Sequence, residues 1–423
     1  MHTSVLILGG GITGLSTAYH LEKAGCTDYL LAEKEPAFGG LCASIRKDGF
    51  TLDYGGHLLH LHTREGETLV RELLGDNLLR HKRNARVFFK GKTIPFPFQA
   101  NLWALPPDVR DACVRGLVQA AAQPKDDADF EQWCLSRFGR GIYEAFMRPY
   151  NEKLWGCSPK NLTAEWCPSF VPVPAPEQIQ ASAQHPPDTD FGYNAYFYYP
   201  AKGGIGALCD ALAARVTHKR AGAQAQQIDL SHHSARINGQ EISYDTLINT
   251  LPLPAFMRLV KDAPEMQSVA QHLRARAVSV CHIALRRETE PVSWIYFADR
   301  DIPFYRVGLQ SGFSPNNAPA GTSLFYVEFG GIVPPEKRTR AYVCGALERA
   351  GLAAAGDEVL LCCWQELPYA YALYDGRRTQ SVDTLKRFLA GHHCYTAGRY
   401  GGWEYSFMEY NLTQGARLAQ KLI

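Results

Sequence analysis

Four apolar residues, Val5 to Leu8, open the hydrophobic pattern with a run that carries no charge, as a strand buried on both faces of a parallel sheet requires. Residues 15–23 follow with helical spacing that stops at Gly25, and a second apolar run at 29–32 predicts the next parallel strand. Residues 50–53 read as a further strand. Between 64 and 165 the pattern turns amphipathic and helical, as in 68–74 and 108–122, around the segment Pro95-Phe96-Pro97-Phe98-Gln99. Alternating prolines fix φ and remove donors, so that segment presents its rings outside any ladder. The proline-rich stretch 168–176 predicts a connection between domains. Residues 207–216 are helical by spacing, and 229–250 predict a hairpin turning at Asn238-Gly239. Short strands and turns alternate over 278–329, which predicts a mostly antiparallel sheet. A last strand near Cys394 and a helix over 412–422 close the pattern. No internal repeat or low-complexity tract interrupts it.

Composition narrows the class. A chain of 423 residues predicts two or three domains, and 46% hydrophobic with 20% charged residues describes an ordinary folded protein. A net charge of +2 gives no footprint for nucleic acid. No basic amphipathic stretch argues for a membrane surface, and the N-terminal apolar run is too short to cross a bilayer. The 12 cysteines are scattered, with no C-x-x-C pair, which predicts reduced thiols in a cytoplasmic protein.

The first strand leads into chemistry. Gly9, Gly11 and Gly14 stand at G-x-G-x-x-G spacing around Ile12 and Thr13. The first glycine permits a tight turn, the second lets backbone approach a pyrophosphate, and the third lets the helix pack on the strand. The helix N-terminus adds unsatisfied N–H groups and a partial positive charge. Glu33, followed by Lys34, ends the second apolar run 19 positions after Gly14, where an acid accepts from ribose hydroxyls. Strand, loop, helix, strand and acid together predict a dinucleotide site. Two more glycine turns follow, Gly39-Gly40-Leu41 and Gly55-Gly56-His57.

This order of parts resembles the FAD-binding half of the flavoprotein superfamily that includes amine oxidases, protoporphyrinogen oxidase and UDP-galactopyranose mutase. A nicotinamide dehydrogenase would not need the later glycine turns, so FAD is the expected cofactor. The fold class implied is α/β: a Rossmann-type, GR2-like FAD-binding domain with an inserted helical region and an antiparallel-sheet substrate domain. The FAD domain is expected to be discontinuous over 1–90, 192–252 and 390–423. The helical region would occupy 91–191 and the antiparallel sheet 253–389.

A closer resemblance rests on Gly55-Gly56-His57 with His60 and His62, Pro97-Phe98-Gln99, Pro149-Tyr150-Asn151-x-Lys153-x-Trp155, Pro303-Phe304-Tyr305-Arg306 and Gly398-Arg399-x-Gly401-x-Trp403-x-Tyr405. Together these are similar to the UDP-galactopyranose mutase family, in order over nearly the whole chain. The resemblance implies that Phe96, Phe98, Gln99, Asn151 and Trp155 hold a uracil ring, with Trp294 and Tyr296 nearby. Arg306 would clamp a diphosphate as a forked, permanently charged donor, joined by Tyr371 and Tyr405. Arg399 would sit near the flavin and the sugar, His57 on the loop at the reactive edge of the flavin, and Gly398 and Met408 where the last strand and helix return to it. The implied reaction interconverts pyranose and furanose forms of a UDP-sugar, with reduced flavin N5 attacking the anomeric carbon and expelling UDP. FAD would be non-covalent and active when reduced, with NAD(P)H a candidate reductant. A small-molecule nucleotide sugar is the expected partner.

Three stretches depart from the family. Beyond Trp166, where the family carries a phosphate-binding arginine, this chain reads Cys167-Pro168-Ser169-Phe170-Val171-Pro172. Arg148, Lys202, Arg377 and Arg378 are the candidate replacements. Tyr369-Ala370-Tyr371-Ala372 lacks a proline after the tyrosine, and Met408-Glu409-Tyr410 replaces a segment that often carries Asp-His. These departures keep open an alternative, an FAD-dependent oxidoreductase acting on an amine, a ring or a sugar. The histidines at 57, 60 and 62 lack the third or fourth ligand and carboxylate support of a metal site, so no metal is expected.

Overall fold

The computed structural model describes residues 1–192 and 194–423. His2–Leu8 forms the middle of the first sheet, parallel to Tyr29–Ala32 on one side and to Gln240–Asn249 on the other. Lys219–Arg220 extends the sheet beyond Tyr29–Ala32, and Cys394–Thr396 pairs in parallel with the end of Gln240–Asn249. Leu6 and Ile7 are fully buried, which is why that run could carry no polar residue. The hairpin is present: Ser234–Ile237 returns through Asn238 and Gly239, both at positive φ, into the ten-residue strand Gln240–Asn249. The opening helix, Ile12–Lys23, packs on the final helix, Met408–Leu422, where Ser16 Oγ donates to the Leu412 carbonyl at 2.7 Å.

The second sheet has seven strands and is antiparallel at every pairing but one. Its order is Val359–Ala372, Ala275–Leu285, Ser323–Gly330, Arg306–Leu309, Trp294–Phe297, Ala85–Phe89 and Lys92–Pro95. The single parallel pairing joins Trp294–Phe297 to Ala85–Phe89, so a strand from early in the chain completes a sheet built mostly from its second half. Two-residue periodicity sorts the faces. Phe325, Val327 and Phe329 pack on the helix Arg340–Arg349, while Tyr326 and Glu328 point at the cavity described below.

The helical region is held by close backbone contact. Pro107–Ala121 crosses Phe130–Ile142 where Gly116 meets Gly139 and Gly141, and a methyl group on Gly139 would fall 2.2 Å from the Gly116 carbonyl carbon. The chain then runs through Tyr143–Met147 into Arg148–Trp155. The proline-rich stretch runs without helix or strand over 171–175 between two short helices, Cys167–Phe170 and Pro176–Ala181, where Pro168 and Pro176 each sit in a first helical turn and the missing N–H costs nothing.

Candidate active site

One cavity of about 890 Å³ runs from the first sheet to the second. At one end its wall is rich in glycine: Gly9, Gly11, Ile12 and Thr13, then Glu33 and Lys34, then Gly39, Gly40 and Leu41. A methyl group on Gly11 would meet no atom within 4 Å, although this residue lines the cavity and N-caps the opening helix with no capping side chain. That open space before bare helix N–H groups suits a pyrophosphate. Gly14 stands behind the wall, where a methyl group would fall 2.0 Å from the Gly9 carbonyl oxygen. Glu33 is buried at its strand end and accepts from the N–H groups of Gly10 at 2.6 Å and Glu35 at 2.9 Å.

The middle of the cavity is bounded by Gly56 and His57 on one side and by Gly398, Arg399 and Met408 on the other. Gly398 has φ +79° and touches Thr13, so the last strand does return to the opening helix. Gly55 is behind the wall, and a methyl group there would meet Glu328 Oε1 at 2.6 Å. Burial, and then the Arg399 guanidinium, push the His57 imidazole down to about 4, so it is neutral at pH 7.

The far end is made of side chains. Phe96, Phe146, Tyr150 and Tyr296 form an aromatic box with Trp294, and Gln99 lines it while donating to the Pro172 carbonyl at 2.6 Å. Phe98, expected to hold a ring, does not reach the cavity. It is fully buried and stacks at 5.0 Å behind Phe146, which occupies the wall instead. Asn151 and Trp155 share one helix face as their spacing requires. The Asn151 amide donates to the Met147 carbonyl at 2.7 Å and accepts from Trp155 Nε1 at 3.0 Å, so it orients the indole.

Charge collects between these ends. Arg306, with 20% of its side chain exposed, forms a forked pair with buried Glu328, and Glu328 Oε1 also accepts from the Gly56 N–H at 3.1 Å. Burial alone would raise the Glu328 carboxyl, but Arg306 beside it holds it below the usual carboxylate range. Arg399 donates to the Ala370 carbonyl at 2.7 Å and lies over the rings of Tyr371 and Tyr405, at 5.3 and 4.9 Å. Tyr371 and Tyr305 bring their hydroxyls within 3.4 Å.

Glu328 was not among the expected site residues. Its signal was available: it is the lone acid in the strand Ser323–Gly330, on the same face as Tyr326. None of the four candidate replacement cations lines the cavity. Arg148 is half-exposed and paired with Glu144, and Arg378 is buried against Tyr374 and the Trp403 carbonyl. Among the described residues the wall's lysine and arginine side chains are Lys34, Arg258, Arg306 and Arg399. In the stretch beyond Trp166, Phe170 stacks on Tyr405 at 3.9 Å and packs tilted against Phe407 at 4.7 Å. Glu409, in the last of the three departing stretches, accepts from the N–H groups of His62 and Thr63 at the start of the helix Arg64–Leu74. No helix among the described residues is long and apolar enough to cross a membrane.

Fold and glycine cradle define a flavoprotein: the chain belongs to the flavin-containing amine oxidoreductase family, whose pattern matches residues 12–423. Within that family it is similar to UDP-galactopyranose mutase. The crystal structure of the reduced mutase superposes with a TM-score of 0.94 at 26% identity, over 99% of this chain and 93% of the other. Curated relatives match over shorter stretches. A coproporphyrinogen III oxidase of Bacillus subtilis (strain 168) is 25% identical over 166 residues, which is 34% of this chain and 35% of that protein. A protein named "Probable UDP-galactopyranose mutase" from Klebsiella pneumoniae is 24% identical over 170 residues, 38% of this chain and 43% of that one. The matched part thus spans less than half the length of either curated relative.

Proposed function

We propose that this protein is an FAD-dependent mutase that interconverts the pyranose and furanose forms of a UDP-sugar. The observation that carries the reading is the continuity of one cavity from the glycine cradle, past Gly56 and His57, to an aromatic box flanked by Arg306 and Arg399. A dinucleotide and a second, ring-bearing ligand fit such a space end to end. Gly11, Glu33, Gly40 and Gly398 would hold FAD non-covalently. When bound and reduced, with NAD(P)H as the candidate reductant, FAD supplies the nucleophile for the sugar. Phe96, Tyr296 and Trp155 would offer faces to the base, and Gln99 its free amide oxygen to the base edge. Arg306, Arg399, Tyr371 and Tyr405 would take up the negative charge that develops on a departing diphosphate. Neutral His57 adds no competing charge beside the flavin.

The test is titration of the purified yellow protein with UDP and UDP-sugars, followed by flavin fluorescence and thermal shift, with FAD first oxidised and then reduced. Saturable stabilisation by UDP, and conversion of a UDP-pyranose to its furanose by the reduced form alone, are expected. A protein indifferent to UDP in both states would overturn the reading. One observation favours a second reading, net oxidation of an amine, ring or sugar. The wall at Phe170, Val171 and Pro172 offers no cation, and Arg306 is already matched by Glu328. Bleaching of the oxidised flavin by a substrate under anaerobic conditions would establish it.

A further inference from the structure

On the face of the second sheet turned away from the cavity, two strand thiols and one from the helix Arg340–Arg349 meet in one apolar cluster. Cys281 is fully buried in the apolar cluster there, with Cys362 and Cys344 packed half-buried against it. Ala275–Leu285 and Val359–Ala372 run antiparallel, with Cys281 opposite Trp364 and Ile283 opposite Cys362. The two cysteines are therefore diagonal neighbours on one face, and their Sγ atoms stand 3.7 Å apart. Trp364, two residues along the same strand, has its indole N–H buried without a hydrogen-bond partner. The Cys281 thiol is the donor in place for a sulfur anion at Cys362, and the unpaired Trp364 indole N–H is the further donor at hand.

We propose that Cys362 is a peroxide-reactive thiol and that Cys281 resolves its oxidised form as an intramolecular disulfide. The hydrogen bond from Cys281, against burial and with the charge of Arg340 pulling the same way, brings the Cys362 thiol down to about 7, while Cys281 is pushed up and keeps its proton. Burial pushes the Cys344 thiol up, and the nearby charges of Glu348 and Asp357 add to it against Arg340. The oxidant is hydrogen peroxide, which reduced flavoproteins release on giving two electrons to dioxygen. The Cys362 thiolate attacks one peroxide oxygen and the O–O bond breaks, leaving a sulfenic acid and hydroxide, which takes up the proton Cys362 had released. The Cys281 sulfur then displaces the sulfenic oxygen as a second water, and its own proton leaves with it. Two thiols and one peroxide become one disulfide and two waters, the sulfurs having lost two electrons.

The experiment uses the whole folded protein. Brief alkylation at pH 7 followed by peptide mapping should label Cys362 first among the 12 cysteines, about tenfold faster than any other. Stoichiometric hydrogen peroxide should then yield one linked peptide pair, Cys281 with Cys362, two hydrogens lighter and restored by dithiothreitol. In Cys281→Ser the link should vanish, a dimedone-trappable sulfenic acid should persist on Cys362, and the pH of half-maximal alkylation should rise. First labelling at another cysteine, a link to Cys344, or over-oxidation of Cys362 with no link would each overturn the proposal. The mapping of the unsubstituted protein decides the matter even if the variant does not fold.

Discussion

The two ends of the cavity recognise by different means. The end at the first sheet is backbone: Gly9 and Gly39 at φ +101° and +119°, Gly11 open to the cavity, and a helix N-terminus without a capping side chain. The end at the second sheet is built of rings and one buried ion pair, contributed by strands and helices far apart in the chain. The difference teaches where each end can be broken. A main-chain cradle fails when a side chain is added, whereas a cavity of rings around a buried charge fails when one partner is removed.

The largest effect is expected at the buried pair. Glu328→Ala leaves Arg306, most of its side chain out of solvent, without a counter-charge and removes the acceptor of the Gly56 N–H. Loss of one member of such a pair costs about 3–5 kcal/mol, to be read as a shift of the urea unfolding midpoint. A loss under about 1 kcal/mol would mean that the pair is solvated and that the far end resembles the glycine end in tolerance.

Asp53 lines neither end: it is buried behind the wall, accepting from Ser44 Oγ and the Tyr199 hydroxyl at 2.6 Å and from the Ile205 N–H at 3.2 Å. Burial outweighs those bonds and pushes its carboxyl up to about 6. The folded state therefore holds the proton more tightly than the unfolded chain. The stabilisation is complete below about pH 4 and is lost as pH rises through 6, a span worth about 3 kcal/mol. Unfolding free energies from pH 4 to 7, compared with those of Asp53→Asn, should differ by that amount. Parallel profiles would remove Asp53 as the cause.

At the glycine end the effects are smaller and separable. Gly14→Ala drives a methyl group to 2.0 Å from the Gly9 carbonyl oxygen, and overpacking of this kind costs about 1–3 kcal/mol. Gly11→Ala meets no protein atom, so the apoprotein should melt as before. FAD affinity should fall about tenfold or more, because the methyl group enters the space kept for the pyrophosphate. Flavin retention on gel filtration, beside the apoprotein melting curve, separates the two. Equal behaviour of both variants would break the distinction between packing and ligand glycines.

The same contrast explains how much was legible in the sequence. The parallel strands, the opening helix, the glycine turns, the Asn238-Gly239 hairpin and the antiparallel sheet could all be read from local pattern, because each is dictated by neighbours in sequence. Within the far end, Trp155 and Asn151 were legible as a helical pair, but not the turning of the Asn151 amide onto its own helix. Phe96 and Phe98 read alike, two residues apart among prolines, yet one faces the cavity and the other is core behind Phe146. Nothing local distinguishes them, since the partner that covers Phe98 comes from a helix nearly fifty residues on. The partnership of Glu328 with Arg306 is likewise a matter of adjacent strands.

The smallest expected effect bears on the missing cation. Arg148 lies in sequence beside Asn151 and Trp155, which makes it the natural substitute for an arginine absent beyond Trp166. Its guanidinium instead pairs with Glu144 one helical turn back and is half-exposed. An exposed pair of that spacing is worth about 0.5 kcal/mol or less, so Arg148→Ala should scarcely move the melting curve and should leave UDP affinity unchanged. Arg399→Ala, measured in the same titration, should weaken UDP binding by at least about tenfold, the loss of one charge-assisted hydrogen bond. If Arg148→Ala instead weakens UDP as much as Arg399→Ala does, the helix Arg148–Trp155 must turn its charged face into the cavity on binding. The far end would then be assembled by its ligand, while the glycine end is preformed.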